Sequence, residues 1–395
     1  MNPKRRPLIF VPGIRTSRLA IRKEDGSLEH FWPLMPHEFL IKAKLDRVFH
    51  CLETNIRLRA DYNDDNDEKV VATSLIPFAY DGLIKSILGW GYRPNFDFWI
   101  FPYDWRQSNK ISGQLLAKFI EEKIEDKCDD GVDIISHSMG GIIARAASLS
   151  GAPIRRAAYI GCPHLGSPVA YFILHPQIDS RRFIGSAYHN YPTSTYWQPN
   201  NDTKNNNNTE RRKTLYHRRK ELFIKFPSMY ELLPDESYLR NRAILLADGR
   251  PESCAEDTYL KNDWAFEEKD MRNAVINAME FKRELGEGLP RQDVLLVCGT
   301  NQLTCDTVHY RTSYHASITE RRPIYLMQQG FSLPYDSGQG GDGYVPITSA
   351  MALTSETPTY SNSLFIPEAH TVLSNAKATI EAISRFLGVG QMSFY

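Results

Sequence analysis

A serine in a short turn is the residue of this chain best suited to nucleophilic chemistry. Ser138 lies between the apolar runs 132–135 and 142–147, a pattern that predicts a strand, an abrupt turn and a helix. Such a setting is typical of a nucleophile elbow, in which the turn pushes the serine hydroxyl beyond the end of a sheet. The turn crowds the positions two before and two after the serine. Both are small here, although Ser136 replaces the first glycine of the G-x-S-x-G pattern and only Gly140 is retained. A serine without a catalytic role in such a turn is the alternative interpretation.

A serine hydroxyl is a weak nucleophile near neutral pH and needs a histidine to accept its proton. The histidine in turn needs a carboxylate that fixes its tautomer and stabilises the imidazolium. Asp342 fits the carboxylate, because glycines in the turn 340–346 allow a tight bend that presents it toward the end of a sheet. Asp306 and Asp336 are weaker competitors, since neither has glycine on both sides. A solvated turn aspartate is the alternative.

The histidine best placed to act as the base is His370. It follows the apolar run 363–366 and precedes the helical pattern 376–386, so it lies on the last strand-to-helix loop. Enzymes with a nucleophile elbow carry serine, acid and histidine in that chain order. Of the eleven histidines, only His370 comes after both Ser138 and Asp342. A surface histidine without a catalytic role is the other interpretation.

Acyl transfer also needs N–H donors for the oxyanion of the tetrahedral intermediate. The residue after the nucleophile, Met139, supplies one backbone N–H. The second is expected on the loop after the first apolar run, 8–11. Ile14 is the better donor there, because Pro12 has no N–H and Gly13 permits the turn. A turn without catalytic duty is the alternative.

The segment 101–106 joins a charged pair to two large aromatic residues. Asp104 and Arg106 are close enough in sequence to hold a loop together, and Tyr103 and Trp105 offer large apolar faces. The composition is compatible with a structural brace and with the wall of a substrate pocket. We therefore keep Trp105 and Tyr103 as candidate substrate-binding residues beside the structural interpretation.

Six short apolar runs predict buried strands. They are mostly continuous rather than alternating, as expected for parallel strands that are covered on both faces. The runs are 8–11, 96–101, 132–135, 157–161, 294–298 and 363–366. Helical patterns lie between them, the clearest within 111–124, where apolar residues share one face. The alternation predicts an α/β fold with a doubly wound, mostly parallel sheet.

The sheet elements occur in two blocks, which defines the predicted domain organisation. Residues 1–169 form the first block of the core and 291–395 the second. The stretch 170–290, rich in charge and tyrosine, predicts an inserted helical cap, with a polar asparagine tract inside 197–214. A second insertion, a lid of about residues 30–80, interrupts the first block.

Composition and apolar patterning argue against several classes of partner. Lysine plus arginine total 47, and aspartate plus glutamate also total 47, so the net charge is zero and no overall positive potential attracts nucleic acid. No stretch approaches the roughly 20 apolar residues of a membrane span. The first apolar run is too short for a secretory signal, which predicts a cytoplasmic location with at most peripheral membrane contact.

The six cysteines are scattered without a C-x-x-C pair, so no zinc site and no disulfide framework is expected, and no metal or other cofactor is indicated. Buried, reduced thiols are the expected state. A bridge between Cys298 and Cys305 stays open as an alternative.

Several short motifs follow one another along the chain in the order that is typical of one family. They are 11–13 with 17–19, the P-Y-D-W-R stretch 102–106, 137–141, 163–168, 232–234, and 341–346 ahead of His370. Together they resemble the lecithin:cholesterol acyltransferase-like family. The P-Y-D-W-R stretch is specific to that family, whereas the elbow alone marks many hydrolases. The resemblance covers about 1–168 and 295–390 and is thin across the predicted cap.

The resemblance implies an α/β-hydrolase with a cap and a lid that contact lipid. It implies a serine esterase that cleaves an acyl ester, usually of a phospholipid, and passes the acyl group from the serine to an alcohol or to water. Ser138, Asp342 and His370 would then be nucleophile, orienting acid and base. Cys51 has no cysteine partner before Cys128, whereas secreted members close the lid with a disulfide, so the departure fits a reducing compartment.

Two other functions remain open at this stage. One is an esterase or thioesterase that uses only water and acts on a substrate other than a phospholipid. The other is a catalytically silent relative that keeps the fold as an interaction module. The intact order of Ser138, Asp342 and His370 favours catalysis over silence.

Overall fold

The structure is a computed structural model. It describes residues 5–33, 42–53, 70–124, 131–174, 221–241, 244–245, 259–260, 269–286, 293–302, 304, 308–309, 340–352 and 362–390. The strands are β1 (Leu8–Val11), β2 (Ser17–Arg22), β3 (Leu28–Trp32), β4 (Val70–Leu75), β5 (Phe98–Ile100), β6 (Val132–His137), β7 (Ile154–Ile160), β8 (Ile244–Leu245), β9 (Asp293–Gly299), β10 (Val308–His309) and β11 (Ser363–Ile366). The helices are α1 (Lys42–Glu53), α2 (Asp81–Gly89), α3 (Asn109–Ile124), α4 (Gly140–Leu149), α5 (Pro168–Leu174), α6 (Pro227–Tyr230), α7 (Glu236–Asn241), α8 (Lys269–Leu285), α9 (Ile347–Ala350) and α10 (Lys377–Leu387).

A parallel sheet of six strands forms the centre of the described structure, in the order β11-β9-β7-β6-β1-β5. Each neighbouring pair in that order is parallel. The chain leaves β1 toward β5 on one side and then crosses to β6 on the other. Adjacent carboxyl ends diverge at such a switch point, and the crevice between them is where open α/β sheets bind ligands.

Helices cover both faces of this sheet because successive side chains of a strand point to opposite sides. Ile9 and Val11 share a core with α3 and α4, whereas Leu8 and Phe10 share another core with α2 and α10. All four residues of β1 are fully buried. The continuous apolar run in the sequence therefore corresponds to a strand that is covered on both faces.

The six predicted strands are all present in the six-stranded sheet, with bounds that shift by a few residues. The prediction missed a small antiparallel sheet in the order β3-β2-β4. Its strands are partly exposed and carry polar residues, so they lack a continuous apolar run. The predicted strand–turn–helix around Ser138 is present as β6 followed by α4.

The two predicted insertions are described only in part. Within the lid range of about 30–80, the structure describes α1 and β4 but not 34–41 or 54–69. Within 170–290, the described segments are mainly helical and contribute no strand to the six-stranded sheet. The asparagine tract lies outside the described residues. The domain boundaries therefore stay predictions.

Candidate active site

The nucleophile elbow joins the end of β6 to the start of α4. Ser138 has a φ of 55°, in the left-handed region that residues other than glycine seldom adopt. Its N–H donates to the carbonyl oxygen of Ile160 at 2.9 Å, which fixes the turn against β7. The local strain at Ser138 is thus held by the neighbouring strand.

Close packing explains why the flanking positions must be small. A Cβ on Gly140 would lie 2.5 Å from the carbonyl oxygens of Val11 and Pro12, so the helix start touches the end of β1. Ser136 is fully buried, and its hydroxyl donates to the carbonyl oxygen of Ala158 at 3.4 Å. Serine is therefore accommodated where the usual motif has glycine.

Three loops bring the predicted serine, histidine and carboxylate together. His370 Nε2 lies 2.8 Å from Ser138 Oγ, and His370 Nδ1 lies 2.6 Å from Asp342 Oδ2. The three residues are buried and far apart in the sequence. This is the geometry of a serine whose proton can pass to an imidazole that a carboxylate orients.

Asp342 is held by its own turn. Its Oδ1 accepts hydrogen bonds from the backbone N–H groups of Tyr344 at 3.0 Å and Val345 at 2.7 Å. Its carbonyl oxygen accepts the N–H of His370 at 2.9 Å, which ties the two loops together. The Thr304 hydroxyl accepts the N–H of Gly343 at 2.8 Å. The competing residues 306 and 336 lie outside the described part of the chain.

The two predicted oxyanion donors, Met139 and Ile14, lie in turns beside the serine. Within the described part of the chain, neither Met139 nor Ile14 donates a backbone hydrogen bond. A Cβ on Gly13 would lie 3.0 Å from Ser138 Cβ, so the turn that carries Ile14 lies directly beside the nucleophile. The role of Met139 and Ile14 as oxyanion donors stays a prediction.

The two aromatic residues of segment 101–106 are packed inside the protein. Tyr103 is 4% exposed and its hydroxyl donates to the carbonyl oxygen of Pro12 at 2.9 Å. Trp105 is 1% exposed and its indole N–H donates to the carbonyl oxygen of Ser17 at 3.2 Å. These contacts brace the turn that follows β1. A role of Tyr103 and Trp105 in substrate binding stays a prediction.

The charged pair of the same segment closes the loop as the sequence indicated. Arg106 donates to Asp104 through Nε at 2.8 Å and through Nη2 at 2.6 Å. Its Nη1 donates to the carbonyl oxygens of Cys51 and Leu52 at the end of α1. The buried guanidinium therefore joins this segment to α1.

Two residues beside the site were not predicted to take part, Tyr80 and His137. Tyr80 Oη lies 2.9 Å from His137 Nδ1, and His137 Nε2 lies 3.1 Å from the carbonyl oxygen of His370. The position of His137 next to Ser138 in the elbow is a sequence signal for a residue beside the nucleophile. Tyr80 carries no such signal, because its contact depends on how α2 packs.

A second buried polar region lies where segment 221–241 and α8 meet α3. Glu231 accepts hydrogen bonds from the Ser108 hydroxyl and the Asn109 N–H, both at 2.5 Å. Burial raises the pKa of Glu231 to about 7. Burial also lowers the pKa of Lys282 to about 8, although the negative charges of Asp235 and Glu231 act in the opposite direction. We call Glu231, Asp235 and Lys282 the ionisable cluster. No hydrogen bond among the described residues joins it to Ser138, Asp342 or His370.

Three thiols are described, those of Cys51, Cys162 and Cys298, and all are buried and free. The possible Cys298–Cys305 bridge is therefore not formed, and residue 305 itself lies outside the described part. In the part of the chain that the structure describes, no three His, Cys, Asp or Glu residues gather as metal ligands. Among the same residues, no helix has the length and hydropathy needed to cross a membrane.

Comparison with known proteins matches these features to one family. The family model for lecithin:cholesterol acyltransferase matches residues 58–175, a range that contains the P-Y-D-W-R stretch and the elbow. The Arabidopsis thaliana protein "Lecithin-cholesterol acyltransferase-like 4" is 22% identical over 450 residues, covering 99% of this chain and 77% of the relative. The resemblance to this family is confirmed. It supports a hydrolase or acyltransferase of lipid esters.

A solved structure with low sequence identity shares the fold. A chain from the crystal structure of the Tle4-Tli4 complex superposes with a TM-score of 0.52 at 15% identity, covering 97% of this chain and 98% of that chain. The mature Bacillus licheniformis lipase BlEst2 gives a TM-score of 0.36 at 12% identity, covering 98% and 93%. The parallel sheet with its flanking helices is that of an α/β-hydrolase.

Proposed function

We propose that this protein is a serine esterase of lipid metabolism. It cleaves an acyl ester, of a phospholipid or another lipid, through an acyl-serine and passes the acyl group to an alcohol or to water. The observation that carries the proposal is the contact of His370 with both partners, 2.8 Å to Ser138 Oγ and 2.6 Å to Asp342 Oδ2. The match to the lecithin:cholesterol acyltransferase family supports the lipid ester as substrate.

In the first half-reaction, Ser138 Oγ attacks the ester carbonyl carbon while His370 Nε2 takes the hydroxyl proton. Asp342 holds the imidazole through Nδ1 and stabilises its positive charge. The N–H groups of Met139 and Ile14 bind the oxyanion of the tetrahedral intermediate. His370 then donates the proton to the leaving alcohol, and the acyl group stays on Ser138.

In the second half-reaction, an alcohol or water enters where the leaving group departed. His370 takes the proton of the incoming hydroxyl, and the hydroxyl oxygen attacks the acyl-serine carbonyl. The proton returns to Ser138 Oγ as the acyl–serine bond breaks. The product is a new ester when the acceptor is an alcohol and a free fatty acid when it is water.

Labelling with a fluorophosphonate tests the nucleophile. The wild-type protein is expected to form a covalent adduct that is lost in Ser138→Ala. Ser150→Ala, at the end of the helix that follows the elbow, is the matched control and should label like the wild type. An unlabelled wild-type protein would favour a silent interaction module.

Product analysis separates the transferase from the hydrolase. A phospholipid is incubated with the enzyme, with and without an added long-chain alcohol. Ester formation that depends on the alcohol identifies a transferase, whereas fatty acid alone identifies a hydrolase. Turnover of a thioester or a small soluble ester with none on phospholipid would replace the lipid substrate by the water-only alternative.

The cap at 170–290 and the lid at about 30–80 are part of this proposal as the segments that contact lipid at the periphery of a membrane. Their support is the family match and the mainly helical character of the described cap segments. Flotation with phospholipid vesicles tests the contact, and failure to float with the vesicles would remove it. A reducing, cytoplasmic location belongs to the same proposal, and the buried free thiols support it.

A further inference from the structure

We propose that Tyr80 and His137 are positioning residues that hold the oxyanion turn and the loop of the base in one fixed arrangement. The inference rests on the proposed function, because it assigns these residues to the same reaction. Neither residue touches Ser138 Oγ in a described hydrogen bond, so their effect passes through other groups. The pair connects Gly13, next to Ile14, with the backbone of His370.

The hydrogen bonds determine where the protons lie. A carbonyl oxygen only accepts, so His137 Nε2 carries a proton and donates to the His370 carbonyl oxygen at 3.1 Å. In the neutral ring, Nδ1 then has a lone pair, and the Tyr80 hydroxyl donates its single proton to it at 2.9 Å rather than to Thr16 Oγ1, which lies farther away at 3.3 Å. The Tyr80 oxygen accepts the N–H of Gly13 at 2.8 Å. A continuous chain of bonds thus runs from the oxyanion turn to the base.

The neutral state of His137 follows from its surroundings. Burial, and next the neighbouring His370, hold the pKa of His137 well below its usual value. The two imidazole rings lie with centroids 4.8 Å apart, so a second positive charge beside the base would oppose its protonation during the reaction. A neutral His137 can therefore orient His370 without competing for the proton of Ser138.

A second set of contacts joins the start of α2, which directly follows Tyr80, to the loop that follows His370. The Asn375 side chain accepts the N–H of Leu83 at 3.1 Å and donates to the carbonyl oxygen of Ala79 at 3.0 Å. A Cβ on Gly82 would lie 3.1 Å from Asn375 Oδ1. The start of α2 is thus fixed to the residues after His370, with Tyr80 between them and the oxyanion turn.

The Tyr80 contact also selects the oxyanion donor. Because the Gly13 N–H is directed to the tyrosine oxygen, it is not free for a substrate oxygen, whereas the Ile14 N–H is. Loss of the tyrosine hydroxyl would release Gly13 and His137 together. The positions of the Ile14 N–H and of the His370 imidazole relative to the ester would then no longer be fixed. Misplacement of reacting groups mainly weakens the contacts made in the transition state.

The test compares Tyr80→Phe, His137→Gln and His137→Leu with the wild type on one ester substrate. We expect Tyr80→Phe to lower kcat by about tenfold or more with KM within about twofold, since the acyl chain and its pocket are unchanged. His137→Gln keeps an N–H donor for the His370 carbonyl and should retain clearly more activity than His137→Leu. Tyr92→Phe is the matched control, because Tyr92 is a buried tyrosine near Asp133 at the opposite end of the sheet.

The outcomes distinguish this inference from the proposed function. A wild type without fluorophosphonate labelling contradicts the proposed function itself. A labelled wild type with Tyr80→Phe and both His137 variants at wild-type kcat overturns only the positioning role. Equal losses in His137→Gln and His137→Leu that merely follow a fall in the unfolding midpoint also overturn it. If Tyr80→Phe does not fold, the two His137 variants and their ranking decide.

Discussion

Asp342 and Glu231 are both buried carboxylates, 1% and 5% exposed, in two different regions of the molecule. Asp342 accepts two N–H bonds from its own turn and a third bond from His370. Glu231 accepts bonds from two residues at the start of α3, and burial raises its pKa to about 7. The backbone of its own turn orients the Asp342 carboxylate toward His370, whereas the Glu231 carboxylate joins two separate segments of the chain.

The two carboxylates therefore differ in what depends on them, which is the proposed reaction for Asp342 and the packing of chain segments for Glu231. At the serine site, backbone hydrogen bonds hold the turns that carry Ser138 and His370, so either of these two side chains can be removed with little effect on the fold. At the ionisable cluster, the Glu231 side chain itself connects segment 221–241 with the start of α3, and the charge of Lys282 on α8 acts on it. Burial of these charges makes the stability of this region depend on pH. Changes in the first region should therefore lower turnover, and changes in the second should lower stability.

The largest effect is expected at the serine site. Ser138→Ala and His370→Ala should each lower turnover by at least about a thousandfold, the scale of triad members. The denaturant midpoint should stay close to that of the wild type, because the loops are held by backbone hydrogen bonds. Steady-state kinetics and urea unfolding check the two halves of this prediction. Nearly unchanged turnover in either variant would show that the assignment is wrong.

The ionisable cluster should respond in the opposite way. Glu231→Ala leaves the Ser108 hydroxyl and the Asn109 N–H without their acceptor and removes the attraction on Lys282, which we expect to cost about 3 kcal/mol. The folded fraction should still label with a fluorophosphonate as fast as the wild type. A stable variant that has lost labelling would contradict the separation of the two regions.

The pH dependence of stability sharpens the same comparison. The folded-state pKa of Glu231, about 7, lies above its ordinary value of 4.5, so the folded state binds more protons between these values. The wild type therefore loses stability through Glu231 as pH rises from 4.5 to about 7, with a slope of up to about 1.4 kcal/mol per pH unit.

Glu231→Gln should lack this component. Urea unfolding of both proteins across that range should show the variant gaining relative to the wild type as pH rises. The difference between the two proteins cancels the opposite trend of His137 and His164, whose lowered pKa values make stability fall as pH drops below 6.5. A difference that stays constant with pH would refute the prediction.

The smallest effect is expected at Ser136, where this chain departs from the usual elbow motif. Ser136→Gly restores the more common glycine and removes two long contacts of the hydroxyl, to the carbonyl oxygen of Ala158 at 3.4 Å and to Cys162 Sγ at 3.9 Å. Turnover and stability should change little, with a stability cost below about 1 kcal/mol from the freer glycine backbone. A large loss of turnover would mean that the Ser136 hydroxyl has a role beyond filling space.

The amino-acid sequence by itself determined the elements that depend on local patterns. Continuous apolar runs indicated all six strands of the parallel sheet, because strands that are covered on both faces need apolar residues throughout. Turn chemistry and chain order indicated Ser138, Asp342 and His370, which the structure brings within hydrogen-bond distance of one another.

Only the tertiary structure decided the contacts between distant segments. The antiparallel sheet β3-β2-β4 escaped prediction because its strands are partly exposed and because the pairing of β2 with β4 joins segments far apart in the sequence. Tyr80 meets His137, and Glu231 meets Ser108, only because helices pack on the sheet in one particular way. Periodicity reports which face of an element is buried, but the partner of a buried polar group depends on which elements are neighbours in space.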